Sequence, residues 1–175
     1  VKLWRDGACE CTIDAHPESE VGGIAIAVLP DGAGFVTCTC CDETNCNLKL
    51  WSFDGKLKRR WTDLVDVDLN CVAALPDGVH FVVGLGNREV RLYNVDGTLV
   101  HTFEGHDEAV RSVAVTPDGQ HIISGSSDAF VKVWSVASKS LVSTCAGHDG
   151  WILAVAAMPD GQRFLSGASD TVRVW

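Results

Sequence analysis

The sequence contains the three residue types of a hydrolase triad twice, with the same spacing each time. The two sets are His106, Ser124 and Asp128 and, 42 residues further on, His148, Ser166 and Asp170. A serine activated by a histidine, which an aspartate orients, is a common arrangement for acyl transfer. A catalytic constellation has no reason to recur with a fixed period, and the sequence has no Gly-X-Ser-X-Gly elbow. We therefore interpret both sets as structural and predict that the protein is not an enzyme.

A cluster of cysteines is a second group that could do chemistry. Segment 38–46 contains four of the eight cysteines, together with an aspartate and a glutamate. Thiolates that lie close in sequence can share a zinc ion. Their spacing matches no strong zinc motif, however, and alternate residues of a strand point to opposite faces. Packing as small hydrophobic side chains is the simpler interpretation, with a metal site and a disulfide as alternatives. We predict no bound metal and no cofactor.

A local basic run stands out because the formal net charge of the chain is −9. It consists of Lys56, Lys58, Arg59 and Arg60. Such a run usually lies on a solvated strand edge, where it deters pairing with other strands. The alternative is a docking patch for an acidic partner.

The overall composition limits the possible partners. A net charge of −9 argues against a general nucleic-acid or anionic-membrane binder. No apolar stretch approaches the roughly 18 residues that a membrane helix needs. The cysteines lack the even spacing of a disulfide framework and no Asn-X-Ser/Thr site is present, so we expect free thiols in an intracellular protein.

Two short sequence motifs recur along the chain, and the elements that they define must position the candidate residues described above. A Pro-Asp-Gly turn occurs four times at intervals of 41 to 46 residues, beginning at Pro30, Pro76, Pro117 and Pro159. A strand-like phrase that ends in an aromatic residue keeps a similar interval and ends at Trp4, Trp51, Tyr93, Trp134 and Trp175. In the turn, Pro presets φ, Asp can bond its own backbone and Gly accepts a positive φ. A repeat of about 41 residues made of short strands predicts the blades of a β-propeller.

Alternating apolar residues on both sides of each turn predict short antiparallel strands, and no helical period appears. The predicted fold is all-β, a single propeller region over residues 1–175 built of about four blades, each a four-stranded antiparallel sheet. The predicted units are the end of a preceding blade (1–14), three repeats (15–61, 62–104 and 105–146) and an incomplete repeat (147–175). Both termini carry the third strand of a blade, and four blades make a tight ring. We therefore expect an arc of a larger propeller of seven or eight blades, or one that a partner completes.

The last two repeats share five sequence features at matching positions. These are Gly-His, Pro-Asp-Gly beginning eleven residues after the histidine, Ser-Gly-X-Ser, Asp, and a Val-X-Val-Trp strand. The pattern resembles the WD-repeat family of β-propellers. The resemblance implies two hydrogen-bonded tetrads, formed by His106, Ser124, Asp128 and Trp134 and by His148, Ser166, Asp170 and Trp175. A buried carboxylate is costly unless it is paired, and an imidazole N–H supplies that pairing, while serine links the imidazole to the indole N–H.

The other repeats depart from this pattern. The first has longer loops, and its matching positions hold His16, Thr37, Asp42 or Asn45, and Trp51. The second holds Val65, Val83, Asn87 and Tyr93, so we predict that it has no tetrad. The last repeat is one residue shorter between Asp170 and Trp175.

Trp151 is the residue that we expect to bind a partner, and Ala109 is its counterpart in the preceding repeat. Both follow a Gly-His pair and begin an inner strand. The resemblance implies a position at the rim of the upper mouth of the ring, where partners of this family often bind, and an exposed Trp is a natural anchor. The alternative is that Trp151 covers a neighbouring blade.

The resemblance implies a non-catalytic scaffold or adaptor that docks peptides or protein subunits on the propeller face. The expected partners are proteins or peptides, including a second propeller segment or another copy that completes the ring, and not nucleic acid or a membrane. One alternative is a structural subunit of a large assembly. Another is a metal-binding or enzymatic propeller that uses the Cys-rich loop 38–46.

Overall fold

The computed structural model describes residues 1–13, 24–39, 47–62, 64 and 67–175, and these form short antiparallel strands joined by tight turns. A terminal pair contains β1 (Lys2–Arg5) and β2 (Ala8–Thr12). Sheet 1 contains β3 (Ile24–Val28), β4 (Phe35–Thr39), β5 (Asn47–Trp51) and β6 (Leu57–Trp61). Sheet 2 contains β7 (Leu69–Ala74), β8 (His80–Leu85), β9 (Val90–Asn94) and β10 (Leu99–Phe103).

Two further sheets complete the described part of the chain. Sheet 3 contains β11 (Val110–Val115), β12 (His121–Ser126), β13 (Val131–Ser135) and β14 (Ser140–Cys145). Sheet 4 has three strands, β15 (Ile152–Ala157), β16 (Phe164–Ala168) and β17 (Val172–Val174). These residues confirm the predicted all-β class with four-stranded antiparallel sheets, and they include no helix that could span a membrane.

The Pro-Asp-Gly turns join the first two strands of each four-stranded sheet and of sheet 4. In sheet 3, the Gly119 N–H donates to the Thr116 carbonyl at 2.8 Å with φ at 71°. The Asp118 Oδ1 accepts the backbone N–H of Gln120 at 3.0 Å. A φ in this left-handed region strains most side chains, so glycine favours this turn and fixes the register of the strands that follow.

The sheets pack face to face in chain order, and their innermost strands β3, β7, β11 and β15 lie side by side. The largest apolar clusters lie between neighbouring sheets. Trp61 of sheet 1 meets Phe81 of sheet 2 edge-on, with ring centroids 5.2 Å apart. Phe103 of sheet 2 lies 5.5 Å from Trp134 of sheet 3. This radial stacking of antiparallel sheets is the arrangement of propeller blades.

The two ends of this stack differ. The terminal pair packs on sheet 1 through a cluster that includes Ile13, Phe35 and Trp51. Sheet 4 leaves apolar side chains uncovered, with Val172 73% and Val174 60% exposed.

Three of the innermost strands share a β-bulge near their first residue. The register shifts between Leu69 and Cys71 in β7, between Val110 and Ser112 in β11, and between Ile152 and Ala154 in β15. The extra residues are Asn70, Arg111 and Leu153. Bulges re-aim side chains and increase local twist. The bulge therefore places one side chain at the same inner position in each of sheets 2, 3 and 4.

Candidate protein-interaction site

In sheet 3, hydrogen bonds join the four residues of the predicted tetrad. Trp134 Nε1 donates to Ser124 Oγ at 2.8 Å, and Ser124 Oγ lies 2.7 Å from His106 Nε2. His106 Nδ1 lies 2.7 Å from Asp128 Oδ2. The carboxylate only accepts, so Nδ1 carries the imidazole proton and Nε2 accepts the serine O–H. Donation thus runs in one direction, from the indole to the carboxylate.

Asp128 ties the loop before β11 to the turn between β12 and β13. Its side chain is 4% exposed. Its carboxylate also accepts the backbone N–H groups of Phe130 at 2.9 Å and Asp107 at 3.0 Å. Burial raises the pKa of Asp128, but the donors, of which His106 is the strongest, outweigh burial and hold the pKa below its ordinary value. The carboxylate is therefore charged and compensated at neutral pH.

Sheet 4 repeats the same chain of contacts. Trp175 Nε1 donates to Ser166 Oγ at 2.8 Å, and Ser166 Oγ lies 2.7 Å from His148 Nε2. His148 Nδ1 lies 3.1 Å from one Asp170 oxygen and 3.4 Å from the other. The geometry at the carboxylate is therefore looser than in sheet 3.

The looser geometry follows from a shorter turn. In sheet 4 the Ala168 N–H donates to the Thr171 carbonyl, whereas in sheet 3 the Ser126 N–H donates one residue further, to the Phe130 carbonyl. The missing residue leaves the side chain of Asp170 24% exposed. The indole still reaches the serine, so the shorter turn affects the outer end of the tetrad.

Asp170 is held as a carboxylate by its neighbours. Burial opposes its ionisation, but a hydrogen bond from Thr171 Oγ1, at 3.0 Å, and one from His148 more than offset this and lower the pKa to about 2. The second tetrad thus depends on the same charged acceptor as the first.

The first two repeats hold other residues at the tetrad positions. In sheet 1, Trp51 Nε1 donates to the buried Thr37 Oγ1 at 3.0 Å, while His16, Asp42 and Asn45 lie outside the described residues. In sheet 2, Val65 also lies outside them. Tyr93 and Val83 are fully buried there, and Tyr93 stacks on Phe81 with centroids 5.8 Å apart. Aromatic packing occupies the tetrad position in sheet 2.

Trp151 and Ala109 stand at equivalent backbone positions, immediately before β15 and β11. The Ser169 N–H donates to the Trp151 carbonyl at 3.3 Å, just as the Ser127 N–H donates to the Ala109 carbonyl at 2.9 Å. Ala109 is half-buried, whereas Trp151 is 58% exposed. The aligned residues therefore occupy equivalent positions at the start of an innermost strand, and at Trp151 an aromatic surface faces solvent.

Arg111, which we did not anticipate from the sequence, belongs to the same surface. It is the bulge residue of β11, and its Nε donates to Ser127 Oγ at 2.8 Å. Its Cζ lies 5.6 Å from the centroid of the Trp151 ring, in a cation–π contact between sheets 3 and 4. Leu153, the bulge residue of β15, is 57% exposed. A charged residue inside the apolar strand Val110–Val115 was the available signal. We call Arg111, Trp151 and Leu153 the rim surface.

The cysteines show no metal site in the described part of the chain. Five of them, at positions 9, 11, 38, 71 and 145, form no disulfide, and Cys38 is buried. Burial raises the pKa of the Cys71 thiol to about 12, which makes it a poor nucleophile and ligand. No group of three or more His, Cys, Asp or Glu among the described residues is arranged to hold a metal ion. Residues 40–46 of the Cys-rich loop lie outside the description.

A comparison with protein families finds one family model that matches two stretches of this chain. The family model described as WD domain, G-beta repeat matches residues 97–135 and 139–175. The human protein named Intraflagellar transport protein 122 homolog is 29% identical over 75 residues, which is 43% of this chain and 6% of that protein.

Solved structures resemble the fold over most of the chain. The structure of U3-55K and the crystal structure of the RRP9 WD40 repeats each align with a TM-score of 0.81 at 24% identity over 90% of this chain. The chain spans 50% and 49% of those two chains. These structures establish the fold.

Proposed function

We propose that this chain is a member of the WD-repeat family of β-propellers and acts as an interaction scaffold that binds a protein or peptide at the rim surface. The family model matches residues 97–135 and 139–175, and members of that family typically act as non-enzymatic scaffolds for other proteins. The observation that carries this proposal is the exposure of Trp151, held against Arg111 at the boundary of two blades.

The rim surface has the properties of a binding anchor. Trp and Arg are enriched among the residues that dominate binding energy at protein interfaces. Arg111 is fixed at one end by Ser127 and lies over the Trp151 ring, so both side chains lose less conformational entropy on binding. Leu153 adds apolar area beside them. The surface suits a peptide that presents an apolar side chain next to a hydrogen-bond acceptor for the guanidinium.

The two tetrads support a structural role. Ser124 and Ser166 are fully buried, and each hydroxyl is engaged by both an indole and an imidazole. A nucleophile needs access to substrate, and these two hydroxyls lie inside their blades. The proposed scaffold therefore uses the tetrads to hold its loops, and its partner is a protein or peptide, with nucleic acid and membranes disfavoured by the net charge of −9.

The uncovered face of sheet 4 favours a second candidate function, a structural role within a larger propeller or assembly. Val172 and Val174 form an exposed apolar strand at the end of the stack. An exposed sheet face of this kind is a site of association. We propose that another propeller segment, or a second copy, covers it and forms part of a ring of seven or eight blades.

The test of the scaffold proposal is a selection of binding peptides from a random library on the immobilised chain. The same library is panned in parallel on Trp151→Ala. We expect the sequences enriched on the parent chain to be lost on the variant. Enrichment of the same sequences on both would remove the rim surface from the binding site.

A further inference from the structure

A pocket of about 390 Å³ lies between sheets 3 and 4, at the end of these sheets opposite the rim surface. The Pro-Asp-Gly turns of the two sheets form its polar walls, and Ile123, Val133 and Phe164 form its apolar part. Strand β11 begins next to the rim surface and ends at Val115, directly before the pocket residue Thr116. The pocket is of the size that binds ligands and is separated from the rim surface by the length of a strand.

The pocket exists because the turns of sheets 3 and 4 stand apart, whereas the turns of sheets 1, 2 and 3 touch. A Cβ added at Gly78 in sheet 2 would lie 3.0 Å from the Cβ of Asp31 in sheet 1. A Cβ added at Gly119 in sheet 3 would lie 3.2 Å from the Cδ of Pro76 in sheet 2. At Gly161 in sheet 4, an added Cβ would meet no atom of the described residues within 4 Å. Among the four described sheets, the gap is therefore specific to this pair.

Smaller side chains on sheet 3 widen the same space. The third and fourth strands of each four-stranded sheet place one cross-strand pair on the face towards the next sheet. These pairs are Leu50 and Arg59 in sheet 1, Leu92 and His101 in sheet 2, and Val133 and Ser143 in sheet 3. Leu50 and Leu92 are buried, whereas Val133 is half-buried. Sheet 4 therefore leaves part of Val133 uncovered and open to a ligand.

Asp118 brings a negative charge to the wall that sheet 3 forms. Its Oδ1 accepts hydrogen bonds from Thr116 Oγ1 at 2.6 Å and from the backbone N–H of Gln120 at 3.0 Å. These bonds, of which the one from Thr116 is the strongest, lower the pKa of Asp118 more than burial raises it. The group is thus a carboxylate at neutral pH. An ionised carboxylate has about four acceptor sites on its two oxygens, so Asp118 can accept further donors.

The charged groups around the pocket leave an excess of negative charge. On the side that sheet 4 forms, Arg163 Nε donates to Asp160 Oδ2 at 2.8 Å. On the side that sheet 3 forms, His121 lines the pocket and interacts electrostatically with Asp118. Two carboxylates thus stand against one guanidinium, and a further cation is favoured there.

We propose that the pocket between sheets 3 and 4 binds an arginine side chain of a partner protein. Arginine buries its methylene stem along apolar surface and keeps its charged end with a polar partner. The stem contacts Ile123, Val133 and Phe164. The guanidinium pairs with the Asp118 carboxylate by charge-assisted hydrogen bonds. The net charge of −9 attracts a basic partner at long range, and this second site is independent of the rim surface.

The polar walls favour arginine over lysine. Gln120, Gln162 and Ser143, each with a side-chain oxygen, line the pocket together with Asp118. A guanidinium has five N–H donors in a fixed plane, whereas an ammonium is a compact and strongly hydrated charge. Arginine can therefore bond several of these oxygens at once.

The test follows the binding of Nα-acetyl-arginine methylamide to the chain by two-dimensional amide NMR. The same derivatives of lysine, of leucine and of citrulline, the neutral isostere of arginine, are titrated in parallel. The backbone signals of Gln120, His121, Gly161 and Gln162 report on the pocket, and the signal of Trp151 reports on the rim surface.

Three variants accompany the titrations. Asp118→Asn removes the carboxylate charge and keeps an acceptor for the turn. Asp77→Asn is the matched control with the same change in net charge, because Asp77 holds the equivalent position in sheet 2, where its Oδ2 lies 2.6 Å from His80 Nδ1. A double variant, Val133→Leu with Ser143→Leu, fills the pocket with apolar side chains. Thermal unfolding of each variant establishes that the fold is retained.

We expect the arginine derivative to bind with a dissociation constant of about 1–10 mM, a range that suits a single side chain. Asp118→Asn should weaken this binding about three- to fivefold, as the loss of one exposed charge pair does, and Asp77→Asn should change it less than about 1.5-fold. The filled variant should lose the shifts at the pocket.

Equal binding of citrulline or leucine would show that the pocket takes an uncharged group, and tighter binding of lysine would exclude arginine as the preferred side chain. Equal weakening by the two Asn variants would show a general charge effect. Each of these results would overturn the proposal, as would shifts confined to the rim surface or no binding of the arginine derivative at millimolar concentrations.

Discussion

The guanidinium carbon of Arg111 lies 5.6 Å from the centroid of the Trp151 ring, so that a bulge residue of one blade covers the rim residue of the next. Asn70, the bulge residue of sheet 2, also reaches the following blade, where its Nδ2 donates to the Val110 carbonyl at 2.9 Å. The bulges thus connect neighbouring blades at their inner ends. In sheet 4 the equivalent residue, Leu153, is exposed and available for other contacts.

Removing the carboxylate of the first tetrad should destabilise the fold. Asp128→Ala leaves His106 Nδ1 and two backbone N–H groups without their acceptor in a site that is nearly closed to solvent. We expect the free energy of unfolding to fall by about 2–4 kcal/mol. Chemical denaturation monitored by Trp fluorescence measures this change.

Asn87→Ala is the matched control for that variant, because Asn87 holds the equivalent position in sheet 2. Asn87 is exposed, and its side chain accepts a backbone N–H from Glu89 at a long 3.4 Å. We expect a change within about 0.5 kcal/mol. Similar denaturation midpoints for the two variants would show that the tetrad does not stabilise sheet 3.

The second tetrad predicts a loss of stability in acid. The pKa of Asp170 is lowered from its ordinary value of 3.8 to about 2 in the folded chain. A lowered pKa means that the unfolded chain binds more protons as the pH falls, so the stabilisation is complete above about pH 4 and is lost on going down towards pH 2. Asp128, whose pKa is also lowered, acts in the same direction.

Denaturation midpoints measured between about pH 5 and pH 2 test this pH dependence, with Asp170→Asn as the comparison. Asparagine does not titrate, so the variant should be less stable than the parent at pH 5 and should lose less stability in acid. Parallel curves for parent and variant would mean that Asp170 does not contribute to the acid transition.

The exposed face of sheet 4 predicts self-association. Val172 and Val174 present apolar surface that water contacts in the isolated chain, and covering it is favourable. We expect light scattering to give a mass that rises above that of the monomer with concentration. Val172→Asp combined with Val174→Asp should abolish the rise, while Val142→Asp, an exposed position on β14, should not. A monomer at every concentration would contradict this prediction.

The fold was predictable because each strand pair is defined locally. The Pro-Asp-Gly turns and the strand-like sequences that end in an aromatic residue set the period, and both patterns act over a few residues. These aromatic residues are Trp4, Trp51, Tyr93, Trp134 and Trp175. The exact strand ends are less clearly defined by the sequence. The strand that follows the second Pro-Asp-Gly turn, for example, begins at His80 and ends at Leu85, because its apolar run continues through Gly84.

The contacts between blades were not predictable in the same way. The bulges at Asn70, Arg111 and Leu153 depend on how two sheets twist past each other, and in β11 and β15 they place the buried residues on either side three positions apart instead of two. The cation–π contact of Arg111 with Trp151 joins residues 40 positions apart, in different blades. The sequence alone therefore pointed to Trp151 and left open whether its ring was exposed.

Calorimetric titration of a selected peptide tests the central claim, that this propeller chain binds its partners at the rim surface. Trp4 provides the matched control, since it is 62% exposed and lies 5.9 Å from Lys2 Nζ, much as Trp151 lies under Arg111. We predict that Trp151→Ala weakens binding at least about thirtyfold, a loss of about 2 kcal/mol, while Trp4→Ala leaves the dissociation constant unchanged. Equal dissociation constants for the parent and Trp151→Ala, or a larger loss for Trp4→Ala, would contradict the claim.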